Sequence, residues 1–134
     1  MTKPRAKRIE HRVSPGDDNR VSAEGGVSFE IPPGFEAEHL VLAGLVRCTR
    51  TSLAYNARRI GVSVERVSGT ASSIVTRRES DGRYGFVDVA CKFDVSLDPR
   101  PDEETLAALL AKTERDCFVG ASLTAPPTYD WTVA

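Results

Sequence analysis

The stretch from position 36 to position 60 constrains this chain more than any other. It follows the stop made by Pro32, Pro33 and Gly34, contains no proline, and carries Leu40, Leu42, Leu45, Val46, Leu53, Ala57 and Ile60 before Gly61 closes it. Apolar residues spaced by three and four over so long a run predict one long helix. On that helix His39, Arg47, Arg50 and Arg58 fall near one narrow stripe, while Val41, Gly44, Cys48 and Ser52 occupy a neighbouring face. The rest of the circumference is apolar or small, so protein is expected to wrap the helix on more than one side. Ala43 and Gly44 leave room for another element to approach.

Shorter elements surround it. Positions 7–13 and 27–31 read as strands parted by the turn-rich "SPGDDN" and "AEGG", an N-terminal meander. Positions 64–78 and 84–97 have strand character on either side of "ESDGRY", whose Asp81-Gly82 pair is a hairpin turn signal. Asp98, Pro99 and Pro101 end the hairpin, and Asp102 suits the N-cap of a helix with Leu106, Leu109, Leu110 and Thr113 on one face. Four residues further along that face comes Cys117. The tail turns at Gly120 and at Pro126-Pro127, and Tyr129 and Trp131 alternate as core positions of a last strand. Strands, long helix, hairpin, helix and strand make an α+β pattern.

A chain of 134 residues, 40% hydrophobic and 28% charged, suits one domain over positions 1–134. Its 18 basic and 19 acidic residues leave a formal charge of -1, so no overall field draws in nucleic acid or an anionic membrane. No apolar run follows the basic start, which predicts a cytoplasmic protein. Three cysteines, an odd number, are poor material for a disulfide framework where thiols are kept reduced; there a cysteine pair points to redox chemistry or metal. His11 and His39 lack the neighbours of a metal site.

Two segments carry a resemblance. "EHLVLAGLVRCTRTSLAYNARRIGV" at positions 38–62 and "DCFVGASLTAPPTYDW" at 116–131 resemble the two cysteine signatures of the OsmC/Ohr family, and the second is closer to its uncharacterised OsmC-like branches. The likeness runs from about position 27 to the end. It implies an OsmC-like fold in an intertwined homodimer that reduces organic hydroperoxides or hydrogen peroxide, without metal or organic cofactor. Cys48 takes the place of the peroxidatic nucleophile and Cys117 that of the resolving thiol. A dithiol, lipoyl-type in the Ohr members, is the implied reductant.

The chemistry asks for such a pair on its own account. A thiolate attacks the peroxide and becomes a sulfenic acid, and a nearby thiol condenses with it before further oxidation. A free thiol has a pKa of about 8.5, so the attacking sulfur needs a cation or hydrogen bonds to be ionised at neutral pH. Arg47 and Arg50 point roughly 100° and 200° away from Cys48 on an ideal helix. The family instead uses an N-terminal arginine held by a glutamate ten residues before the cysteine. Glu38 matches that glutamate. The family's glycine-rich arginine turn is replaced here by "SPGDDNR", which makes Arg20 the choice and Arg12 the alternative. Ten helical residues span about 15 Å. Glu38 and Cys48 can therefore share an arginine only if the helix breaks or a partner chain supplies one group, which predicts a composite site at a subunit interface.

Other residues read more plainly. Cys91 lies in a core strand with no motif around it and is expected to be structural. Arg58-Arg59 and Arg77-Arg78 are expected on the solvated surface. The replaced arginine turn leaves a second functional reading, a redox-sensing or small-ligand-binding module of the same fold.

Overall fold

The computed structural model describes residues 6–16 and 18–134, which group into two units, one up to Glu36 and one from Ala37 to Ala134. In the first, β1 (Val13–Pro15), β2 (Arg20–Ala23) and β3 (Ser28–Glu30) form an antiparallel sheet in the order β1-β2-β3. This is the expected meander, and β3 falls within the predicted strand at 27–31, but the other two strands differ from the expectation. Residues 7–12 have no regular structure, the chain becomes extended only at Val13, and Arg20–Ala23 supplies a strand that the pattern did not reveal. Pro15 is tolerated because β1 is an edge strand and needs no further donor. Position 17, in the predicted "SPGDDN" turn, lies outside the described residues. Asn19 adopts a left-handed φ of 64° just before β2.

The second unit opens with α1 (Ala37–Arg59), unbroken over 23 residues. Its buried face is Leu45, Thr49, Ser52, Leu53, Asn56 and Ala57, spaced by three and four. Arg47, Arg50, Thr51 and Tyr55 are exposed, so among the described residues of the second unit the helix is covered on one side and is not wrapped as the sequence predicts. Gly61, at φ 75°, ends it.

The hairpin follows. Strands β4 (Ser63–Arg77) and β5 (Tyr84–Asp98) pair antiparallel, with irregularities between Val64 and Arg66 and between Ile74 and Val75. On β5 Val89, Cys91, Phe93, Val95 and Leu97 alternate into the core. The Asp81-Gly82 turn forms as its signal predicts. Arg78, however, is not simply solvated: its guanidinium pairs with Asp81 at 2.7 Å and donates to Thr124 Oγ1 at 3.2 Å. The chain then enters α2 (Glu103–Arg115), whose N-cap Asp102 accepts from the Thr105 N–H at 2.8 Å. After the single turn α3 (Phe118–Ala121), β6 (Thr128–Val133) pairs parallel to β5 and completes a β4-β5-β6 sheet. A parallel neighbour requires the crossover that α2 and α3 provide. Helix α1 packs against β4, α2 and α3.

Aromatic rings seal the sheet where β5 meets β6. Phe93 stacks on Trp131 at 4.8 Å and faces Gly69 of β4 across the register. A β-carbon at Gly69 would stand 2.6 Å from Phe93 Cδ1, too close for a ring already held on its other side. Gly69→Ala is therefore expected to lower stability by about 1–3 kcal/mol. The measurement is the urea midpoint at unchanged m-value; an unaltered midpoint would mean that the Phe93 ring can step aside.

Candidate active site

Cys48 and Cys117, 69 positions apart in sequence, are neighbours in the fold. Cys48 lies half-buried on α1, one residue from the buried Thr49. Cys117 is fully buried, though not as the continuation of the α2 face that its spacing suggests. Helix α2 stops at Arg115, Asp116 caps it with its N–H bonded to the Lys112 carbonyl at 2.9 Å, and Cys117 is extended at φ -75°, ψ 110°. It becomes the N-cap of α3, with its sulfur accepting from the Gly120 N–H at 3.4 Å and lying 3.5 Å from Thr49 Oγ1.

Polar bonds between the helices set this position. Ser52 Oγ donates to the Thr113 carbonyl at 2.8 Å near the end of α2. Asn56 Nδ2 donates to the Ser52 carbonyl at 2.9 Å and reaches Asp116 Oδ2 at 3.5 Å. These side chains are buried, so leaving them unpaired would cost about 1–3 kcal/mol each. The bonds tie the last turn of α2 to α1, and the turn that follows delivers Cys117 and the amides of Phe118 and Val119 to Cys48.

Opposing influences meet at the Cys48 sulfur. Burial is the largest and pushes its pKa above the ordinary thiol value; the Val119 N–H pulls it down, the Cys117 thiol pushes it up, and the Phe118 N–H pulls it down. Burial wins, so the second unit of one chain favours the thiol over the thiolate. Arg47 and Arg50 are exposed on α1.

Glu38 lies exposed in the first turn of α1. Because the helix runs without a break from Ala37 to Arg59, one of the two ways for Glu38 and Cys48 to share an arginine is closed. Arg20 and Arg12 both belong to the first unit. Arg20 donates from Nη1 to Ser28 Oγ at 3.4 Å, and the Arg12 N–H donates to Glu24 Oε2 at 2.7 Å.

Two further groups reach this site: Thr49, which the sequence pattern does not single out, and Tyr129, which it places in the core of the last strand. Thr49 touches the Cys117 sulfur, and its place beside Cys48 on the buried side of α1 was the available signal. Tyr129 of β6 stands opposite Cys91 of β5 in register, and its hydroxyl lies near Thr49 and Cys117. A concavity of about 620 Å³ lies elsewhere, lined by the hairpin tip and residues 124–126 and by neither Cys48 nor Cys117. Among the described residues no group of three or more His, Cys, Asp or Glu side chains is placed to hold a metal ion. No described helix is long and apolar enough to cross a membrane.

Residues 30–132 match the family model described as OsmC-like protein. This chain belongs to the OsmC-like family. No curated protein matches the sequence. Among solved structures, an OsmC-like protein of unknown function from Vibrio cholerae superposes with a TM-score of 0.75 at 15% identity, covering 93% of this chain and 100% of its own. Organic hydroperoxide resistance proteins of Bacillus subtilis and Legionella pneumophila superpose at TM-scores of 0.61 and 0.62. They are 16% and 18% identical, covering 93% and 98% of this chain and 96% and 99% of theirs. At such identities the likeness is one of fold, and it bears out the α+β, OsmC-like architecture. The OsmC-like family thus includes hydroperoxide-resistance proteins alongside members of unknown function.

Cys91 is a separate matter. It is buried, and its pKa is pushed from 9.0 up to about 11 by burial first, then by Cys117 and Glu114. A thiol that holds its proton more tightly folded than unfolded stabilises the fold fully below pH 9.0 and loses that contribution as pH rises toward about 11. Tyr129, raised from 10.0 to about 12, acts in the same sense at higher pH. Between pH 9 and 10 the urea midpoint of Cys91→Ala is therefore expected to fall less steeply than that of the wild type. Equal slopes would contradict a stabilising protonated Cys91.

Proposed function

We propose that this OsmC-like protein is a cysteine-based peroxidase that reduces organic hydroperoxides or hydrogen peroxide. It acts as an intertwined homodimer in the cytoplasm, with positions 1–134 forming one domain. The observation that carries this reading is the adjacency of Cys48 and Cys117. The Cys48 thiolate attacks the peroxide, R–O–OH and a proton giving R–OH and Cys48–S–OH. The Cys117 thiol then attacks that sulfur, forming the Cys48–Cys117 disulfide and releasing water. A dithiol, lipoyl-type by family resemblance, reduces the disulfide and leaves as its own cyclic disulfide.

The raised pKa of Cys48 makes a cation necessary, because burial and the neighbouring thiol outweigh the two amides. Arg20, with Arg12 as the alternative, is assigned that task, and Glu38 is assigned to hold the arginine. Since α1 is continuous, the glutamate and the cysteine of one composite site come from different chains. Apolar side chains left uncovered in the second unit suit a dimer interface: Tyr84 is 69% exposed, Phe118 65% and Ile74 55%.

Purified protein is expected to consume cumene hydroperoxide steadily with a dithiol present, and Cys48→Ser to abolish this. Cys117→Ser is expected to stop at a sulfenic acid on Cys48 that dimedone traps. An opposite charge beside an acidic group lowers its pKa by about 1–3 units. Replacing the arginine that serves Cys48 by alanine, or Glu38→Gln, should thus slow Cys48 oxidation at pH 7 by about tenfold or more. Unchanged rates in Arg20→Ala, Arg12→Ala and Glu38→Gln alike would remove these residues from the site. The replacement of the family's arginine turn by "SPGDDNR" favours a second reading, a redox-sensing or small-ligand-binding module of the same fold. That reading predicts stoichiometric thiol loss and no dithiol-dependent turnover.

A further inference from the structure

The Tyr129 hydroxyl is buried and, among the described residues, none completes a hydrogen bond of good geometry with it, although Thr49 Oγ1 and Cys117 Sγ stand close by. Its ring is fixed on β6 by stacking on Trp131 at 5.9 Å and on Phe93 at 6.3 Å. The hydroxyl is aimed at Gly120 of the turn that carries Cys117. A β-carbon at Gly120 would stand 3.2 Å from Tyr129 Oη and 3.5 Å from Cys117 Sγ, so the missing side chain allows oxygen and sulfur to share one small space. A buried donor without an acceptor is unfavourable, and it calls for a state of the protein in which the acceptor exists.

The bonding around Cys117 identifies that state. Thr49 Oγ1 gives its proton to the Leu45 carbonyl at 2.8 Å, which leaves its lone pairs to receive the Cys117 S–H at 3.5 Å. The sulfur also accepts from the Gly120 N–H. As a neutral thiol, Cys117 is a weak acceptor with its needs met, and the Tyr129 proton stays unused. Once the thiol loses its proton, a charged sulfur stands beside a donor that is already desolvated and already oriented. Such a donor acts more strongly on the ionised than on the neutral state. Burial holds the phenol protonated, with its pKa pushed up to about 12.

We propose that Tyr129 is the hydrogen-bond donor to the resolving sulfur, directing its proton to Cys117 Sγ as that thiol ionises to attack Cys48. This rests on the two-thiol reading above. The step is Cys48–S–OH plus Cys117–SH giving Cys48–S–S–Cys117 plus water. The Cys117 proton leaves with the departing hydroxide as water, and Tyr129 keeps its own. The titratable groups around the sulfur are Cys48 from α1, Cys91 from β5 and Tyr129 from β6; Glu114 of α2 bears on Cys91 and accepts from Trp131 Nε1 at 2.9 Å.

Tyr129→Phe in the full chain tests this, because it removes one oxygen and keeps the stacking ring. Rapid mixing with one equivalent of cumene hydroperoxide, and separately with diamide, would follow Cys48 modification and disulfide closure by mass. Tyr129→Phe is expected to modify Cys48 at the wild-type rate. It should close the disulfide about tenfold more slowly, as fits the loss of a hydrogen bond to a charged group. The pH dependence of closure should move to higher pH, and the urea midpoint should not fall, since an unsatisfied hydroxyl has gone. Closure at the wild-type rate and pH dependence would overturn the proposal and leave the hydroxyl a packing defect. If wild type closes with diamide but not with the hydroperoxide, the peroxidase reading fails and the diamide comparison still decides the role of Tyr129. If wild type closes with neither, both fail.

Discussion

Helix α1 buries three polar side chains, Thr49, Ser52 and Asn56, along the face it turns to the core. Each must find a partner away from water, and the end of α2 is where two of them find it. Ser52 and Asn56 fasten the Thr113 carbonyl and Asp116, while Thr49 closes on the Leu45 carbonyl and the Cys117 sulfur. An apolar face could slide along a partner helix with little loss, because hydrophobic contact is not directional. Hydrogen bonds between buried groups cannot slide. The meeting of two cysteines from distant parts of the sequence depends on this seam, since it fixes where α2 ends and where the following turn points.

The same seam creates the electrostatic problem of the site. Taking Cys48 partly out of water and placing it against another thiol raises its pKa, and the Val119 and Phe118 amides offset only part of that. On the peroxidase reading proposed above, the second unit of one chain leaves Cys48 without a cation, and an unbroken α1 keeps Glu38 far from Cys48 of the same chain. The two-chain site proposed above would meet both constraints and would cover the exposed apolar side chains of the hairpin and of α3.

Much of this was legible beforehand. The bounds of α1 follow from a proline-free run between Gly34 and Gly61, the hairpin from Asp81-Gly82 between two extended runs, and the start of α2 from Asp102. Each rests on a local rule satisfied within a few residues. The N-terminal strands were read less well, because they are three or four residues long and mostly exposed, so no alternation marks them. Arg78 looks solvated in the sequence because nothing local shows that its partners are Asp81 in the turn and Thr124, 46 residues away. Cys117 was placed on the α2 face by helical spacing, whereas the helix ends two residues before it.

The sequence by itself determined the long helix, the hairpin, the start of α2 and the two cysteines worth attention, since periodicity, capping and turn chemistry act between neighbours in the chain. Only the tertiary structure decided that those sulfurs meet, that Cys91 stands across the register from Tyr129, and that the buried Tyr129 hydroxyl stands beside Cys117. Those facts depend on register and helix seating, which are set by long-range packing and hydrogen bonds that no short stretch of sequence contains.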